Sequence, residues 1–157
     1  MEKRTVYHGS SQIVETPEIR ITKYNKDFYF GFYCTVMEKQ AKRWATRFGE
    51  AGYLNLYEYT PNQQLKMLTF ENMTEEWLDF IVACRTGKAH DYDIVEGPMA
   101  DDTIYNYVQG FIDGKFSRAA FWELAKFKYP THQISFHTAR ALTTLRFFKG
   151  VQVHEEE

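Results

Sequence analysis

The chain has 157 residues and a formal net charge of −2, with a pI near 6.2. That length falls in the usual range of one domain and can bury a core without disulfide or metal staples. The near-neutral balance supplies no general basic field for non-specific nucleic-acid binding, and no window approaches the roughly 20 apolar residues that cross a bilayer. Aromatic residues reach 17%, with 13 Phe, 11 Tyr and 3 Trp, which excludes a disordered chain and offers rings for a core or for cavity walls.

Thr5 to His8 reads as a short strand running into the turn residues Gly9 and Ser10, and Phe30 to Thr35 as a second strand, with a loop holding Pro17 between them. Met37, Ala41, Trp44, Ala45 and Phe48 recur at helical spacing, which predicts an amphipathic helix over 37–49 that stops near Gly49 and Gly52. Lys39, Lys42, Arg43 and Arg47 form its solvated face. Tyr53 to Thr60 alternates as a strand ended by Pro61. Thr74 caps a helix with Glu75 and Glu76 in its first turn and Trp77, Leu78, Ile81 and Cys84 as its apolar stripe, up to Gly87.

Asp93 to Glu96 is the next candidate strand. After Gly97 and Pro98 comes a helix carrying Ile104, Tyr107, Val108, Phe111 and Ile112, ended by Gly114. Ser117 opens a further helix, closed by Pro130. From His132 to His137 the chain alternates, with Ile134 and Phe136 on one face and Gln133, Ser135 and His137 on the other; the bland reading of that second face is the wet side of an edge strand. Leu145 to Val153 offers one or two final strands. Short strands interrupted by helices imply an α+β fold whose antiparallel or mixed sheet is split into two layers. A single domain over 1–153 is expected, followed by an acidic tail at 154–157.

Cys34 and Cys84 both sit in apolar runs, and no feature of the sequence activates either thiol. With no signal-peptide stretch at the start, free core cysteines in a cytoplasmic setting are expected. The patterns GxxxxGK[ST], GxGxxG, HExxH and CxxC are absent, so phosphate loops, Rossmann cofactor sites and ordinary zinc sites lack support.

Four fragments in order carry more: Tyr7-His8-Gly9-Ser10, Gly31-Phe32-Tyr33-Cys34-Thr35, Gln40-Ala41-Lys42-Arg43-Trp44 and Gln133-Ile134-Ser135-Phe136. Together they resemble the ADP-ribosyltransferase superfamily, and within it the His-Tyr-Glu branch. More narrowly the chain is similar to a small bacterial family of formally unknown function whose members often sit beside antitoxin-like partners. The resemblance implies a split two-layer sheet with surrounding helices and NAD as co-substrate. It further implies transfer of ADP-ribose to a macromolecular acceptor, protein or nucleic acid, with a small antitoxin as a further partner. By the same resemblance His8 contacts the adenosine-side ribose, Gly9 and Ser10 hold the nicotinamide amide, and Tyr33, Thr35, Ala41 and Trp44 complete the NAD pocket.

NAD cleavage makes these residue types sensible in their own right: backbone amides hold the nicotinamide, rings cover its face, and polar groups stabilise an oxocarbenium-like ribose. The third position departs from the resemblance. Gln133 stands where a glutamate is expected, and an amide cannot act as a general base. Asp101 and Asp102 are the expected assisting carboxylates, and either also suits the N-cap of the following helix. Tyr29 is a second departure, since a small residue is expected two positions before Gly31. Trp44 lies on the apolar stripe of its helix, where packing and ring stacking are both open. Arg85 either binds the NAD phosphates or complements its helix C-terminus.

Overall fold

Apolar alternation and helical spacing resolve into seven strands and five helices among the residues described by the computed structural model, which are 2–20, 27–100, 102–126 and 131–155, with the backbone alone at 102 and 103. In chain order these are β1 (Arg4–Ser10), β2 (Phe32–Cys34), α1 (Glu38–Ala45), β3 (Ala51–Tyr59), β4 (Met67–Thr69), α2 (Glu75–Arg85), β5 (Ile94–Gly97), α3 (Asp102–Ile112), α4 (Arg118–Ala125), β6 (Gln133–Phe136), α5 (Ala139–Leu142) and β7 (Leu145–His154). The fold is mixed α+β with two sheets. One has the order β1-β3-β7 and the other β2-β6-β5-β4. All pairings are antiparallel except β4 with β5, which are joined through α2, as a parallel pair requires a crossover.

The sheets pack face to face through Val6, Tyr57 and Tyr59 on one side and Phe32, Cys34, Ile94, Ile134 and Phe136 on the other. The outer face of the four-stranded sheet is covered by α2, α3 and α4, whose Trp77, Leu78, Ile81, Ile104, Val108 and Phe121 close around Phe28 and Val95. Side chains of this size stabilise by about 1.5–3 kcal/mol each when fully buried. The caps read from the sequence are present: Thr74 Oγ1 accepts from Trp77 N at 3.2 Å and Ser117 Oγ from Ala120 N at 3.1 Å.

Three expectations change, and two elements are added. β6 is not an edge strand: it lies between β2 and β5, and all four of its residues are buried. Alternation records side-chain chemistry, and Gln133 and Ser135 are polar residues under a second, helical layer. α1 ends at Ala45 rather than near 49, leaving Phe48 off the apolar stripe and 90% exposed. Leu145 onward is one strand paired to β3 on both sides of a bulge at Phe148, and it runs past Val153: Glu155 N donates to Glu50 O at 2.6 Å. β4 and α5 are elements whose three and four residues are too short for periodicity to reveal. Among the described residues no helix is long and apolar enough to cross a membrane.

Candidate functional site

The two sheets are stitched at one isolated bridge, where Tyr7 and Thr35 exchange backbone hydrogen bonds of 2.7 and 2.9 Å. Tyr7 therefore turns its N–H and C=O toward β2. By strand alternation Gly9, two residues on, turns its own to the same side. His8 crosses the gap in place of a ladder: its Nδ1 donates to the Tyr33 carbonyl oxygen at 2.6 Å while its ring stacks on Phe32 at 4.3 Å. A carbonyl can only accept, so Nδ1 carries a proton.

Tyr33 lies on the helix-facing side of its sheet. Its hydroxyl accepts from Phe28 N at 3.1 Å and donates to the Tyr29 carbonyl oxygen. Burial, reinforced by the nearby Asp27 carboxylate, pushes its phenol well above the usual range. Tyr33 thus offers a ring wall and not a proton. Cys34 pairs with Ile134 in the β2–β6 register, so the next step along both strands sets Thr35 beside Gln133. The Thr35 hydroxyl meets His132 Nδ1 at 3.2 Å and accepts from Met37 N at 3.0 Å.

Gly9 has a structural role the sequence did not reveal. A Cβ there would lie 2.2 Å from the Ala41 carbonyl oxygen and 2.8 Å from Ala45 N; at Gly52 it would lie 2.0 Å from the Ala45 oxygen. The two glycines and two alanines let α1 rest directly on β1 and β3. Ala41 is therefore spent on packing. Ser10 caps the end of β1, accepting from Gln12 N at 3.3 Å. Trp44 is half-buried, and the Arg47 guanidinium lies over its ring at 3.8 Å, covering one face.

Gln133 is 6% exposed and its Nε2 donates to Asp27 Oδ2 at 3.1 Å. Asp27 is itself buried against Arg85, whose Nη2 and Nε reach Oδ1 at 2.5 and 3.0 Å. Ala100 N supplies a further donor at 2.8 Å. This corrects one sequence reading of Arg85. It is 2% exposed, its remaining arm donates to the Tyr105 carbonyl oxygen, and its plane sits 3.8 Å from the Tyr105 ring; a guanidinium so enclosed reaches no phosphate. The other reading stands, since Arg85 is the basic residue in the last turn of α2. Asp27 gave no sequence signal, because its partner lies 58 residues away. Asp101 lies outside the described residues, and Asp102 begins α3 with its side chain likewise outside them.

On the far side of Gln133, Gly97 is its register partner. Beside Gly97 opens a cleft of about 430 Å³ walled by Phe70, Asn72, Met73, Glu96, Pro98 and His132. Burial alone would raise the Glu96 carboxyl, but hydrogen bonds from His132 and from both arms of Arg4 hold it at about 2. That network ties β1 to β5. Both cysteines are free and buried, and burial pushes Cys84 up to about 12 and Cys34 well above its usual range, so neither is an activated thiol.

The class these features define is a mixed α+β protein with two sheets, joined at the Tyr7–Thr35 bridge. Residues 4–147 match the family described as "Protein of unknown function (DUF3990)", and the chain belongs to that family. No curated protein matches the chain.

Proposed function

We propose that the protein is an NAD-dependent ADP-ribosyltransferase acting on a macromolecular acceptor, and that it works as the toxin half of a toxin–antitoxin or defence pair. The observation that carries this reading is the Tyr7–Thr35 bridge: it sets the strand of His8 and Gly9 beside the strand of Tyr33 and Thr35, and the β2–β6 register places Gln133 next to Thr35. The chemistry fits. Gly9 turns a backbone N–H and C=O toward β2, the donor and acceptor pair that a carboxamide needs. His8 is held by the Tyr33 carbonyl, ready to meet a ribose hydroxyl, and Tyr33 and Trp44 supply rings for the nicotinamide face. Gln133 gives an uncharged acceptor next to the developing ribose cation.

A second reading has its own observation. Among the described residues, the carboxylate that meets Gln133 is Asp27, which is buried and fully hydrogen-bonded, so it can remove no proton from an acceptor. The same fold without turnover is then an NAD-binding module. Incubation with NAD and cell lysate, followed by mass spectrometry of the lysate and quantification of free nicotinamide, separates the readings. Adducts lost in His8→Ala support transfer, free nicotinamide without adducts indicates NAD glycohydrolase activity, and NAD affinity with neither product supports the module. No NAD affinity at all refutes both.

A further inference from the structure

Four N–H groups converge on one buried carboxylate. Asp27 Oδ1 accepts from Arg85 Nε and Nη2, and Oδ2 from Ala100 N and Gln133 Nε2. A carboxylate has about four lone-pair positions and no donor, so the hub is saturated and the nitrogen end of the Gln133 amide must face it. The amide oxygen then faces the other way. Gln133 Oε1 has no hydrogen-bond partner among the described residues, and among them no buried side-chain nitrogen or oxygen lacks one. Oε1 therefore reaches the surface of a residue that is otherwise 6% exposed.

We infer that Asp27, anchored by Arg85, is a positioning residue that locks the Gln133 amide with its oxygen outward, as the acceptor for a ribose hydroxyl of NAD. The inference rests on the proposed function. A glutamine without such a partner presents its oxygen or its nitrogen with nearly equal ease; Asp27 removes that freedom. A glutamate at position 133 would need no orientation, since both of its oxygens accept, but it would stand about 3 Å from Asp27, where two carboxylates cannot both stay ionised. The buried anion and the glutamine thus explain each other. Because Asp27 has no lone pair left for an acceptor group, the acceptor must bring a nucleophile that needs no proton removed by this hub.

The test compares wild type with Asp27→Asn, Gln133→Glu and the double variant D27N/Q133E, reading NAD affinity by calorimetry and folding by thermal midpoint. In D27N the new amide oxygen still accepts from Arg85, and its nitrogen takes the place of Oδ2, facing both Gln133 and the Ala100 N–H. The lost Ala100 bond lowers the thermal midpoint of D27N and of the double variant alike; the nitrogen also turns the Gln133 amide over, and Kd for NAD rises about tenfold in D27N alone. In the double variant the carboxylate introduced at position 133 accepts from the amide introduced at position 27 and keeps an oxygen outward, so affinity returns to within about twofold of wild type. Q133E alone binds less tightly as pH rises, because the carboxyl groups at positions 27 and 133 must hold a proton between them. A residue acting only through stability would show neither the rescue nor the pH dependence. D27N binding as wild type does, or a double variant that is not rescued, overturns the inference while the proposed function stands. Wild type without NAD affinity overturns the proposed function and the ribose role with it. Where D27N does not fold, the double variant must bind NAD more tightly than Q133E at pH 8, and the reverse order overturns the inference.

Discussion

Gly9→Ala separates the two demands placed on this glycine. The added methyl carbon would stand 2.2 Å from the Ala41 carbonyl oxygen, whereas ordinary contact begins at 3.4 Å. The obstacle is helix backbone, not a side chain that can swing aside, so α1 has to retreat by about 1 Å from β1. Gly52 fixes the same helix from β3 through the Ala45 oxygen at 2.0 Å, and the retreat opens that contact as well. Overpacking of this kind costs about 3 kcal/mol. Urea denaturation followed by circular dichroism should show the midpoint falling while the slope is unchanged. A loss below about 1 kcal/mol would refute the packing argument and return Gly9 to a role in the site alone. If the proposed function holds, NAD affinity of the folded fraction reports the remaining, functional part of the loss.

Tyr29 holds φ at 78°, in the left-handed region where a Cβ is disfavoured. Removing the ring in both variants, Tyr29→Gly should be more stable than Tyr29→Ala by about 1 kcal/mol in chemical denaturation; the opposite order would show that the backbone there is unstrained. Burial pushes the His137 imidazole down to about 4 from 6.5, against the hydrogen bond to the Phe30 carbonyl and with His90 adding to the fall. The unfolded chain takes up the proton first, so this contribution is complete above pH 6.5 and is lost as pH falls toward 4, by at most about 3 kcal/mol. Thermal midpoints at pH 7 and 4.5 should differ much less in His137→Gln than in wild type, and equal slopes would count against the assignment. Glu96, ordinarily near 4.5 and held at about 2, loses its contribution between those values, so the two effects overlap only near pH 4 to 4.5 and otherwise separate along the pH axis.

The candidate site is an arrangement of supports. His8 is oriented by a strand carbonyl, Gln133 by a buried carboxylate, and the segment at 28–29 by the Tyr33 hydroxyl. Each support comes from a different element from the group it holds, so this geometry depends on both cores being assembled.

By itself the sequence determined the kinds of element and much of their order. Strong period-two and helical patterns placed β1, β3 and α2, and side-chain caps at Thr74 and Ser117 fixed two helix starts to the residue. The ordered motifs likewise singled out His8, Tyr33 and Gln133, because each belongs to a local fragment that can be read without its partners. Only the tertiary structure decided what those fragments touch. That β6 is interior, that Gly9 faces a helix, and that Arg85 is enclosed are facts about layers stacked on one another, and periodicity along one strand carries no information about what covers it. The Asp27 hub shows the same physics most sharply. Its donors come from residues 85, 100 and 133, and the cost of burying a charge is met only when all of them arrive together.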